Sequence, residues 1–158
     1  MAKEHHYKAT ITWAGNKGVG TKDYRLYERN HVISIAGKPD ILASSDPVFL
    51  GDNSKWNPEE LLLSSLSGCH MLWYLHLCSI NNIIVVDYKD HASGTMQETA
   101  ENGGRFTEVV LRPMVTITDQ AQIKKANELH KDANKMCFIA NSCNFPVRHI
   151  PACKVEGK

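Results

Sequence analysis

A single run, Trp56 to Cys78, constrains this chain more than any other stretch. Asn57 can accept a bond from an orphan backbone N–H, Pro58 suits the first helical position, and Glu59 and Glu60 complement the positive end of the macrodipole. A helix therefore starts at Pro58. After Glu60 come about twenty residues without Lys, Arg, Asp or Glu, closed by Asn81-Asn82, which tolerate the left-handed conformation that ends helices. Ser64, Ser65, Ser67, Gly68, His70 and His76 interrupt the run, which argues against a membrane span. The reading is a helix buried nearly all round, too thoroughly for one layer of sheet to cover, so a second subunit is expected to help.

The rest of the chain is read as supplying that cover. Its 158 residues fit one domain over 1–158, and a net charge of +1 with interspersed signs gives nucleic acid or an anionic membrane no electrostatic hold. Met1 to His6 lack the apolar core of a signal peptide, so the expectation is cytoplasmic. Residues 7–14 alternate as a strand, Gly15 to Gly20 read as a hairpin turn, and Tyr24 to Tyr27 and His31 to Ile35 read as further strands. A loop from Ser44 to Trp56, packed by Val48, Phe49, Leu50 and Trp56, leads into the helix. Beyond it, Ile83 to Met96 reads as one long strand with a bulge at Gly94. After a turn at Glu101 to Arg105 it pairs antiparallel with Phe106 to Thr118, whose Val109, Leu111, Val115 and Ile117 face one side.

Asp119 or Thr118 caps a second helix, amphipathic through Ile123, Ala126, Leu129, Ala133, Met136 and Cys137. Phe145 to Ile150 reads as an edge strand, where a proline is tolerated. The order of elements defines an α+β fold.

Five cysteines, an odd number without dense spacing, argue against a structural disulfide framework. No Cys-x-x-Cys or His-x-x-x-His pair occurs, so neither metal nor another cofactor is expected. Cys69 lies in mid-helix beside Gly68, which opens room for a substrate, and Cys137 lies where the second helix ends. Two cysteines on separate elements are the minimum for a cycle of oxidation and disulfide resolution. Cys143 is the competing partner, whereas Cys78 and Cys153 are read as structural. A free cysteine that merely packs is the plainer alternative.

Asn57-Pro58-Glu59-Glu60-Leu61 with Cys69 ten residues after Glu59, followed by Cys137-Phe138-Ile139-Ala140-Asn141-Ser142, resembles the two signature regions of the OsmC/Ohr family of thiol-dependent hydroperoxide reductases. The resemblance implies antiparallel sheets wrapped around a long central helix in an intertwined homodimer. It further implies reduction of organic hydroperoxides at the subunit boundary, with Cys69 as the peroxidatic cysteine, Cys137 as the resolving one, and an external dithiol as reductant. Glu59 matches the glutamate that organises the site. Because ten helical residues rise about 15 Å, Glu59 is expected to serve the partner's Cys69. The family's arginine has no counterpart in Asp46 to Gly51, so Arg29, or else Arg25, is assigned to it. His70 and His76 either stabilise a thiolate or are buried histidines with a hydrogen-bond partner. Two other uses of the same fold are a non-catalytic binder of apolar small molecules and a redox sensor switching through Cys69 and Cys137.

Overall fold

In a computed structural model, which describes residues 3–100 and 103–157, helix α1 spans Pro58–Ile80 and both its ends are closed by local chemistry. Asn57 Oδ1 accepts from the Glu60 N–H at 2.8 Å while Glu60 Oε2 accepts from the Asn57 N–H at 3.2 Å, a reciprocal capping box. At the other end Asn82 turns left-handed (φ 57°), and the N–H groups of Ile83 and Asn82 reach back to Cys78 O and Ser79 O. By length and composition alone α1 would suffice to cross a bilayer. It buries only the stripe Leu66, His70, Tyr74, Leu77 and Cys78, while Leu72 and Ile80 stay more than 60% exposed. Within one chain the helix is thus one-faced rather than buried all round, since sheet and helix cover it from a single side.

Contacts divide the chain into two units, Met1–Leu61 and Leu62–Lys158. In the first, β1 (Thr10–Trp13), β2 (His31–Ser34) and β3 (Ile41–Ala43) form an antiparallel sheet in that order. Gly15 is required by close approach, because a Cβ there would fall 1.8 Å from Glu28 O. Tyr24 to Tyr27, expected as a strand, is a turn instead. Asp23 caps it through the Arg25 N–H, and Arg29 takes the carbonyls of Tyr24 and Tyr27, the acceptors a ladder would need. The loop before α1 is likewise held by polar groups rather than by the apolar packing expected of it. Asp46 caps a short 3-10 turn over Pro47–Phe49, and Asp52 bonds Ser54 and Lys55, while Val48, Leu50 and Trp56 are exposed.

In the second unit the two long strands expected from sequence are each broken into two. β4 (Val85–Asp90) pairs with β7 (Pro113–Ile117), and β5 (Ser93–Thr99) with β6 (Gly103–Leu111), both antiparallel, but in separate sheets. Pro113 lacks the N–H to continue a ladder. At the same bend Asp90 accepts from the Arg112 N–H at 2.6 Å and from Ser67 Oγ of α1 at 2.6 Å. The bulges fall at Val85/Asp87 and Thr95/Met96; Gly94 serves instead to admit the Phe106 ring, 2.7 Å from where its Cβ would lie. Of the turn assigned to Glu101 to Arg105, Glu101 and Asn102 lie outside the described residues.

The expected edge strand is β8 (Val147–His149), parallel to β6, and an unanticipated β9 (Ala152–Val155) runs parallel to β7. Asp119 caps a 3-10 turn that leads into α2 (Ile123–Met136), and a one-turn α3 (Phe138–Asn141) follows. Val109, Leu111, Val115 and Ile117 are at most 1% exposed, as their spacing predicts.

The core holds an unexpected polar element. His70 of α1 and His130 of α2 are wholly buried and joined Nε2 to Nδ1 at 2.9 Å, with Tyr74 stacked on His130 at 3.8 Å and His149 of β8 alongside. Burial holds His70 down to about 4 and His130 to about 3, and lowers His149 as well. All three are therefore neutral in the fold at neutral pH and protonate in the unfolded chain below about 6.5. The unfolded state binds more protons in that window, so stability rises with pH there and is lost as pH falls. Denaturant unfolding is expected to show a loss approaching about 1.4 kcal/mol per buried histidine per unit between pH 6.5 and 5. A stability that is level across that interval contradicts this account of the core.

Candidate active site

Cys69 is half-buried on α1, and the space beside Gly68 is open, with nothing within 4 Å of where a Cβ would sit. Cys137 occupies the joint between α2 and α3, where the backbone turns extended (φ −68°, ψ 108°) and its Sγ accepts from the Ala140 N–H at 3.4 Å. Asn141 ties the joint by donating to Lys135 O at 2.9 Å and to Cys137 O at 3.0 Å. The sulfur of Cys137 thereby has a fixed direction. It is 1% exposed and lies beside the Cys69 side chain. Burial, then that neighbour, pushes the Cys137 thiol up to about 11, so it stays protonated at neutral pH. Such a pair can exchange a proton or close into a disulfide.

The other three thiols are differently placed. Cys143 donates to Ile139 O at 3.3 Å and packs beside Leu66, while Cys78 is buried in the core with Cys153 against the same cluster. Burial raises all three. Among the described residues no group of three His, Cys, Asp or Glu side chains is arranged to hold a metal ion.

One turn beyond Cys69, Trp73 meets Phe138, the residue after Cys137, edge to face at 5.5 Å. His76 packs edge-on against Trp73 at 5.8 Å, and Leu72, Trp73 and His76 line a shallow groove. Phe138 is 67% exposed, so the sulfur pair is flanked by apolar surface open to solvent. Leu66, one turn before Cys69, is sealed in the core with Val109 and Leu111.

Glu59 and Arg29 are placed apart from one another in role. Glu59 stands in the first turn of α1, ten residues before Cys69 on one unbroken helix, and its Oε2 is buried with no hydrogen-bond partner. Arg29 has both Nη atoms on the carbonyls of Tyr27 and Tyr24, at 2.5 and 2.6 Å, with its guanidinium over both rings at about 4 Å. The Arg25 N–H bonds Asp23. His70 is the buried, hydrogen-bonded histidine of the two alternatives, and His76 is exposed. Sequence reasoning passed over His130 and His149. The signal for His130 was its position on the apolar stripe of α2, with Ala126, Leu129 and Ala133.

The fold has counterparts among known proteins. The family model described as OsmC-like protein matches residues 51–150, a segment that contains α1, both paired cysteines and β8. The chain is similar to an OsmC-like protein of unknown function from Vibrio cholerae, at 30% identity over 94% of this chain and 100% of that one, with a TM-score of 0.85. Its fold is also that of an organic hydroperoxide resistance protein from Elizabethkingia anophelis, 18% identical over 98% of this chain and 100% of that one, TM-score 0.74. Another from Legionella pneumophila is 17% identical over 96% and 100%, TM-score 0.65. No curated protein sequence matches the chain. With the family match covering α1, α2 and the cysteine pair, the chain belongs to the OsmC-like protein family.

Proposed function

We propose that this protein reduces organic hydroperoxides through Cys69 and Cys137, using an external dithiol in a reducing cytoplasm. The placement of the two thiols side by side, near enough for Cys69 to raise Cys137, supports the reading. Cys69, as thiolate, attacks the distal peroxide oxygen; the O–O bond breaks, the alcohol leaves with a proton, and Cys69 becomes a sulfenic acid. Cys137, protonated and close by, condenses with it, so that a disulfide forms and water departs. A dithiol then exchanges both sulfurs back to thiols. The family's hydroperoxide resistance members and the apolar surface around Trp73 and Phe138 support the substrate class.

The same reading places two copies together. The exposed apolar face of α1 and the unpartnered Oε2 of Glu59 both suit a second helix α1 laid against the first, with Glu59 serving the partner's dithiol. A second reading, a redox switch without turnover, is favoured by Arg29, whose guanidinium is already engaged by its own loop.

Peroxide consumption with cumene hydroperoxide and dihydrolipoamide separates the two. Wild type is expected to turn over, Cys69→Ser to lose all turnover, and Cys137→Ser to stop after one oxidation with a trappable sulfenic acid. One stoichiometric oxidation by wild type supports the switch. If the groove around Trp73 binds the alkyl chain, kcat/KM rises by roughly fourfold for each buried methylene, from about 0.8 kcal/mol apiece. Trp73→Ala and Phe138→Ala are expected to flatten that series, and equal slopes would count against the groove. Light scattering is expected to give twice the chain mass, and a monomer at micromolar concentration would remove Glu59 from the site.

A further inference from the structure

The buried histidine pair lies outside the chemistry above, yet it joins the two elements that carry the sulfurs. His70 follows Cys69 directly on α1, and His130 sits seven residues before Cys137, about two turns back along α2. Their rings lie within 7° of parallel, Nε2 to Nδ1 at 2.9 Å, with neither exposed to solvent. Tyr74, one turn after His70, stacks on the far ring at 3.8 Å.

Apart from Leu129 and His130, the buried stripe of α2 consists of Ala126 and Ala133, side chains that slide past a neighbour with little penalty. A directional bond between two buried rings does not allow that, since a shifted helix leaves two desolvated nitrogens unpaired. The register matters because disulfides form only with Cβ atoms about 3.5 to 4.5 Å apart, while one residue of slip moves a helix by about 1.5 Å.

We propose that His70 and His130 are positioning residues for the dithiol: their mutual hydrogen bond sets the register of α1 against α2 and so holds Cys69 and Cys137 within reach of each other. Neither histidine needs to touch a substrate. The proposal rests on the reading of Cys69 and Cys137 as the redox pair, but not on turnover of hydroperoxide.

The test is equilibration of the folded protein with glutathione buffers. Glutathione disulfide oxidises the two thiols to a disulfide and is itself reduced to two glutathione molecules, with no peroxide required. The Cys69–Cys137 link is quantified by peptide mass spectrometry. His130→Leu is expected to lower the equilibrium constant for that link about tenfold, the loss of one buried hydrogen bond, whereas His130→Asn, which keeps a polar atom where Nδ1 stood, stays within about threefold of wild type. If the leucine variant does not fold, His70→Gln and His70→Asn decide: glutamine reaches the Nε2 position and keeps the constant, and asparagine falls short and loses about tenfold.

Equal constants for the retaining and the breaking variant overturn the proposal, as does a wild type that never links Cys69 to Cys137. A wild type that forms the link but consumes no hydroperoxide overturns the proposed function and leaves the positioning role standing.

Discussion

The closeness of Cys69 and Cys137 is the constraint on which the proposed chemistry depends, and it is made by packing rather than by local sequence. The two residues are 68 positions apart and reach each other because α2 lies along the buried stripe of α1 through Leu77, Tyr74, Leu129 and Ala133. The break between α2 and α3 then points the second sulfur inward, with Asn141 fastening the joint. Burial keeps Cys137 protonated, while Cys69 is the half-exposed member of the pair, which fits the proposed division of roles.

The helix that carries Cys69 is unusual in using its two faces so differently. One side is sealed by Leu66, His70, Tyr74 and Cys78; the other presents Leu72 and Ile80 to solvent. Exposed apolar side chains grouped on one helix face suit a surface that is covered in an assembly. The orphaned oxygen of Glu59 at the same helix's first turn points in the same direction, because a buried carboxylate oxygen without a partner is costly unless another molecule supplies one. Site and assembly are then one problem in the proposed reading, in which a second copy covers the apolar face and brings Glu59 to the site.

Much of this was legible in the sequence wherever local chemistry decides. The Asn57 cap, the left-handed Asn82, the alternation that buries Val109 through Ile117 and the stripe of α2 were all readable, because each depends on a few neighbouring residues. What was not legible depends on distant partners. Tyr24 to Tyr27 has strand-like composition, and only the reach of Arg29 to its carbonyls makes it a turn. The division of two long strands into two sheets required Pro113 and the hold of Ser67 on Asp90 to act together. The histidine pair bridges 60 positions, and no spacing rule joins residues that far apart. The cysteines were readable as a pair through the family resemblance, whereas their closeness comes from the structure.

The account is tested most directly by identifying which sulfurs join. Reduced protein treated with one equivalent of cumene hydroperoxide, quenched by alkylation and digested, is predicted to yield a single major disulfide linking the peptides of Cys69 and Cys137. A dominant link through Cys143, or five thiols that all remain alkylatable, would contradict it.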